Sequence, residues 1–149
     1  MRLAVRTDYA LRVLMYVGLT PPGPLATIAG TAAAYGVSES HLMAVVHRLA
    51  SLGYLETVRG KGGGIRLARA PDAIDLGRVV RDIETDMALV ECFGSGAGAC
   101  RIERACALRG VLAEALEAFL AVLDRYTLAD LLAPAPALAA LLGCDRPAA

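Results

Sequence analysis

The sequence predicts a mainly α protein with a small β-wing, a winged helix-turn-helix unit joined to one long helix. Three observations carry that prediction. Apolar residues recur at helical spacing in three segments before Gly53. Two short β-prone runs then flank the glycine-rich tip "RGKGGG". Last, residues 107 to 126 repeat Leu and Ala at helical spacing over a single long stretch.

The first helix is expected from Thr7 to Thr20, with Ala10, Leu11, Leu14, Val17 and Gly18 on one face. Thr7 is the expected N-cap, and Asp8 falls in the first turn, where the helix dipole favours an anion. "PPGP" at 21 to 24 stops that helix, and "LATIAGTAAAY" (25 to 35) predicts a second. Gly36 supplies a tight turn, and Ser38 is the N-cap of a third helix that runs to about Leu52 and stops at Gly53. Helix, short glycine-containing turn, helix is the helix-turn-helix outline. The third helix sorts into an apolar stripe of Leu42, Val45, Val46 and Leu49 and a second stripe of Ser40, His41, Ala44, His47, Arg48 and Ser51. One stripe packs, and the other is left to read a ligand.

Strands are expected from Tyr54 to Val58 and from Ile65 to Ala68, and the tip between them carries Arg59 and Lys61, which makes a basic wing. A short helix follows from Leu76 to about Glu84, and then the segment "ECFGSGAGACRIERAC". The long helix places Leu108, Leu112, Ala115, Leu116, Phe119, Leu120 and Leu123 in an apolar stripe wider than a lone winged domain needs to cover. "YTLADLL" starts another turn of helix capped by Thr127, ahead of an Ala/Pro/Leu-rich tail in which Cys144 stands alone without an assigned role. Residues 1–75 are thus read as the winged helix-turn-helix domain and 76–149 as the cysteine loop and long helix, one compact unit with the first.

The chain of 149 residues suffices for one core. Its apolar share of 56% is mostly Ala, Leu and Val, which suits helices with wide apolar faces. No apolar run reaches the roughly 18 residues of a membrane span, and Asp8 and Arg12 interrupt the first apolar stretch. The expectation is a soluble, cytoplasmic protein with no signal peptide and no membrane partner. The net charge of zero hides an asymmetry: residues 1–70 hold eight Lys or Arg against three Asp or Glu, and residues 71–149 hold seven against twelve. A basic first half implies an anionic partner there, such as nucleic acid.

Double-stranded operator DNA is therefore the expected partner, met by Ser38, Ser40, His41 and Arg48 of the third helix and by Arg59 and Lys61 of the wing. Cations at a glycine-rich tip suit a minor groove, where backbone and phosphates come close. "RGKGGG" is not a phosphate-binding Walker loop, since no Ser or Thr follows the Lys and the tip joins two strands.

The thiols Cys92, Cys100 and Cys106 are spaced C-x7-C-x5-C, without a CxxC pair. Structural zinc commonly uses close pairs and a fourth Cys or His, yet both histidines, His41 and His47, lie on the third helix. No base accompanies a cysteine, so a catalytic thiol is not indicated and the chain is not read as an enzyme. From spacing alone, an iron-sulfur cluster held by three thiolates and one outside donor is favoured. A disulfide or thiol switch, and zinc or simple burial, remain the alternatives. Residues 93–99 reach roughly 20 Å when extended at about 3.3 Å each, long enough to wrap a cluster.

The stretches "TDYALRVLMY", "VVHRLASLGYLETVRGKGGGIRLA", "LGRVVRDIE", "LVECF…CRIERAC" and "YTLADLL" together resemble the nitric-oxide-sensing iron-sulfur repressors of the BadM-type winged-helix regulator family, from Met1 to about Leu132. The resemblance implies a homodimer on palindromic operators, with the long helix at 107–126 as the dimer interface, and nitric oxide as the signal. It implies that Cys92, Cys100 and Cys106 bind the cluster and that Asp8 of the partner subunit is its fourth ligand, with [4Fe-4S] favoured over [2Fe-2S]. Iron-sulfur-homeostasis members of the family use a histidine three residues after the third cysteine; here that position is Arg109, so their site cannot form. The Cys92 to Cys100 spacing is longer than is usual in the family.

Overall fold

The computed structural model describes residues 2–21, 23–94, 98 and 100–144. Pro22 of the expected helix stop, and residues 95–97 and 99 of the cysteine segment, lie outside the described residues. Helix α1 (Val5–Leu19) starts two residues earlier than expected, and Thr7 is not its cap. Ala4 holds the N-cap position, its N–H bonded to Glu84 Oε1 at 2.7 Å. Thr7 is fully buried instead, because α1 is packed by α3 (Glu39–Ser51) and α4 (Leu76–Ile83), and tertiary packing overrides a local capping preference. Ala10, Val13, Leu14 and Val17 join Thr7 on the buried face.

Helix α2 (Ile28–Tyr35) begins three residues later than expected, since the chain ahead of it is used twice over. Thr27 Oγ1 caps it by accepting from Gly30 N at 2.9 Å, and Ala26 O accepts from Ile65 N at 2.8 Å. Gly36, left-handed at φ 63°, closes α2 and turns the chain into α3. Ser38 sits at the N-cap of α3 as expected, but its hydroxyl pairs with that of Ser40 at 2.7 Å rather than with the helix backbone. Leu42, Val45, Val46 and Leu49 are buried, as their spacing predicted.

Strands β1 (Leu55–Val58) and β2 (Gly64–Leu67) pair antiparallel, Leu55 opposite Leu67 and Val58 opposite Gly64; β1 starts one residue later than expected, and β2 lies one residue earlier. The Ala26–Ile65 bridge ties the root of this wing to the loop entering α2. The core lies where α1, α3, the wing root and α4 meet.

Helix α4 is capped by Asp75, which accepts from Arg78 N at 2.6 Å, and it latches to the wing root near its other end. Tyr54, 1% exposed, donates to Asp82 Oδ2 at 2.7 Å, and Arg78 Nε donates to the same oxygen at 3.1 Å. Burial, then the Asp82 hydrogen bond, push the Tyr54 hydroxyl up to about 12. Burial also pushes Asp82 upward, but the hydrogen bonds from Tyr54 and Arg78 win and hold its carboxyl below the ordinary range. A depressed carboxyl stabilises the fold fully above its ordinary pKa of about 4, and that contribution is lost as pH falls through the lower folded value. Asp82→Asn is therefore expected to cost about 1–2 kcal/mol near pH 7 in urea unfolding, with the deficit shrinking as pH drops well below about 4. A deficit independent of pH would contradict the latch.

Helix α5 (Ala107–Leu123) stops three residues short of expectation, where Tyr126 O and Ile74 O accept from Leu76 N and Leu128 N at 3.0 and 2.8 Å and pin the corner to α4. Arg81 clamps Asp124 there through two bonds of 2.6 and 2.7 Å. No residue of α5 is buried: Leu112, Leu116, Phe119, Leu120 and Leu123 are half-buried, while Leu108 and Ala115 of the expected stripe face water. Helix α6 (Leu128–Leu131) carries the expected Thr127 cap, completed by Asp130 into a capping box. The Ala/Pro/Leu-rich tail, for which no element was expected, forms α7 (Ala135–Leu142) against α1.

Candidate functional site

The outward stripe of α3 faces water: Ser40, His41, Ala44, His47, Arg48 and Ser51 are all exposed. They point away from the core because the buried stripe of the same helix is taken by α1, α2 and β1. The cations are not equally available. Arg48 donates to Asp82 O at 3.0 Å, Arg66 pairs with Glu56 across the wing at 2.7 Å, and Arg69 lies 4.9 Å over the Tyr54 ring while donating to Leu52 O. Arg59 and Lys61, exposed at the wing tip, have no such partner among the described residues. The basic first half thus keeps its wing-tip charges uncommitted, and the arginine expected to read DNA from α3 is tethered to the end of α4.

The thiol segment lies between α4 and α5. A short 3-10 turn at Glu91–Phe93 presents Cys92, a second at Glu103–Ala105 precedes Cys106, and Cys106 is itself the N-cap residue of α5. Cys92 and Cys106 are half-buried, Cys100 is exposed, and none is in a disulfide. Glu103 organises the segment: its carboxylate accepts from the Gly98 N–H and pairs with Arg109 at 3.4 Å. Arg109, three residues after Cys106, is thus held by a carboxylate, and a guanidinium is no metal ligand. Cys106 borders an open cavity of about 930 Å³ shared with Phe93, Arg109 and Leu116, and Cys100 borders a neighbouring one of about 550 Å³ with Arg101 and Arg104. Among the described residues no group of three His, Cys, Asp or Glu side chains converges to hold a metal. Three soft thiols on one short segment nevertheless fit the donor chemistry of an iron-sulfur cluster.

Asp8 lies on α1, well away in sequence from the thiols, and both its oxygens are engaged by Arg12, at 3.0 Å from Nε and 2.9 Å from a terminal nitrogen. The i, i+4 pair is half-exposed, so it contributes about 1 kcal/mol at most. The Arg12 guanidinium also sits 5.6 Å over the ring of Tyr35, the last residue of α2 before the Gly36 turn. Tyr35 packs edge-on against Tyr16, and burial pushes its hydroxyl above the ordinary phenol range. Asp8 is thereby linked to the helix-turn-helix through one side chain. The Asp8–Arg12 pair has the i, i+4 spacing of a helix, whereas Tyr35, Asp82 and Glu103 have partners that helical spacing does not fix, and the sequence reading missed them.

Residues 3–134 match a family described as Rrf2, iron-dependent transcriptional regulator. The chain belongs to the Rrf2 family. It is 51% identical over 131 residues to the HTH-type transcriptional regulator NsrR of Bacillus subtilis, covering 88% of this chain and 90% of that one. It is 49% identical over 142 residues to the NsrR of Geobacillus kaustophilus, covering 95% and 97%. The solved structure of CymR, the global cysteine regulator of B. subtilis, superposes with a TM-score of 0.70 at 26% identity, covering 88% of this chain and 95% of that one. The family resemblance read from the motifs is borne out, and so is the fold class, mainly α with a two-stranded wing. Among the described residues of this Rrf2 protein, no helix is long and apolar enough to cross a membrane.

Proposed function

We propose that the chain is a nitric-oxide-sensing transcriptional repressor of the cytoplasm that acts as a homodimer on palindromic operator DNA. The observation that carries this reading is the union, in one Rrf2 chain, of an outward-facing helix and uncommitted basic wing with a three-thiol segment that runs directly into α5. In support of the homodimer, α5 has no fully buried residue and leaves Leu108 and Val111 62% and 60% exposed; a second α5 laid alongside removes such apolar surface from water. Residues 1–75 then serve as the DNA-binding domain and 76–149 as the cluster-binding loop and dimerisation helix. Two α3 helices, placed about 34 Å apart by the dimer, enter successive major grooves, and Arg59 and Lys61 enter the minor groove beside them.

Cys92, Cys100 and Cys106 hold an iron-sulfur cluster, [4Fe-4S] in preference to [2Fe-2S], with Asp8 of the partner subunit as the fourth donor. When bound, the cluster supplies iron that nitric oxide can coordinate, and a hard carboxylate is the most exchangeable donor beside three thiolates. Asp8 would be shared between two partners, since both its oxygens are engaged by Arg12 in this structure and a bond to iron would draw on the same carboxylate. Arg12 passes the change to Tyr35 and the turn before α3. Turning an operator from mostly bound to mostly free requires a difference of several kcal/mol between the two forms.

The test is purification without oxygen, followed by visible absorption, iron content and binding to duplexes selected from a random pool, before and after nitric oxide. Coloured, iron-containing protein that binds and then releases DNA is expected, and Arg59→Ala is expected to keep the colour while losing about tenfold in affinity. Colourless protein that binds equally well and responds to peroxide instead would favour a thiol redox regulator using the same three cysteines.

A further inference from the structure

One exposed side chain on α3 has a chemistry unlike its neighbours. Met43 is 56% exposed, three residues after Ser40 and four before His47, so by helical spacing it shares their face. An isolated exposed apolar residue is ordinary on most surfaces. On this helix it meets a second fact: Arg48, the lone arginine or lysine of α3, is held by the Asp82 carbonyl. With one terminal nitrogen engaged there, Arg48 in this structure does not hold both terminal nitrogens outward, as the bidentate arginine contact that most often identifies guanine requires. What the face offers instead is hydroxyl, imidazole and the apolar surface of Met43 and Ala44.

A major groove carries one apolar feature on its floor, the C5-methyl group of thymine. We propose that Met43 is a specificity-determining residue that packs on the methyl of a thymine in each operator half-site. The proposal rests on the reading that α3 enters the major groove. Charge complementarity favours DNA as the occupant of this face, since the surrounding first 70 residues carry eight basic against three acidic side chains. Met suits the task because its unbranched thioether adapts to an irregular apolar surface, and its exposure means that truncation leaves no cavity in the core.

The experiment uses the full chain in its iron-containing form and an operator selected from a random duplex pool. Each thymine of the half-site is replaced singly by deoxyuridine, which removes the methyl and keeps the base pair. Wild-type protein is expected to lose roughly three- to tenfold in affinity at one position. Met43→Ala is expected to bind the thymine operator more weakly by a similar factor, to make no thymine-uracil distinction at that position, and to keep its affinity for unrelated duplex. Met43→Leu is expected to restore the distinction. If no uracil replacement affects the wild type, or if Met43→Ala still distinguishes the two bases, the assignment of Met43 is overturned while major-groove entry stands. Failure to select any preferred duplex would overturn major-groove reading by α3 and this proposal with it.

Discussion

Cys106→Ser is expected to give protein without visible absorption or iron, and with operator affinity reduced to that for unrelated duplex, a loss of about a thousandfold or more. The fold is expected to survive, which is what makes this cysteine the most informative of the three. Cys106 is the N-cap residue of α5, with extended backbone and no side-chain capping bond. Serine is close to cysteine in size and is among the preferred N-cap residues, so α5 should gain about 0.5–1 kcal/mol rather than fray. Loss of DNA binding together with thermal stability equal to or above that of iron-free wild type therefore assigns the effect to the thiol. A Cys106→Ser protein that keeps its iron and its operator affinity would remove the thiol from the proposed ligand set. The same change at exposed Cys100 touches no helix end and tests the ligand set alone.

The second large effect is expected at Gly64→Ala. A Cβ at Gly64 stands 2.3 Å from Ala26 O and 2.7 Å from Leu25 Cβ, well inside contact distance. The obstacle is backbone, and Ala26 O is the acceptor of the Ile65 N–H, so neither side can step aside without breaking the bridge at the wing root. The expected cost is about 1–3 kcal/mol in urea unfolding, a large share of the 5–15 kcal/mol that holds a typical domain together. Operator affinity is expected to fall by about tenfold or more, because the tip that carries Arg59 and Lys61 is displaced. A variant as stable as the wild type would show that the Ala26 edge gives way freely.

Much of this was legible in the sequence where the information is local. The two stripes of α3, the Thr127 cap and the Asp8–Arg12 pair all follow from spacing within one or two turns, and each stands where that spacing put it. Thr7 failed as a cap because residue type speaks for the chain end only when the end is solvated; here α3 and α4 cover it. The tail gave no helical signal that could be told from its Ala and Pro content, and α7 is packed against α1 rather than marked by local patterning. Arg48 was read as uncommitted because its acceptor, the Asp82 carbonyl, lies 34 residues away. In the thiol segment the three cysteines and the Arg109 position were legible, but the staple from Glu103 to Gly98 and Arg109 was not, since acidic residues at such spacing are commonplace.

The bond from Ile65 N to Ala26 O has one more consequence. It joins the base of the wing to the loop that leads into α2, and Tyr54 and Arg48 fasten the other side of the same unit to α4. The wing tip and the face of α3 are thus two marks on one rigid ruler, not two arms that search independently. On the proposed operator, the count of base pairs between the minor-groove and major-groove contacts is then set by the protein. A half-site lengthened by a single base pair between those contacts forfeits one of them.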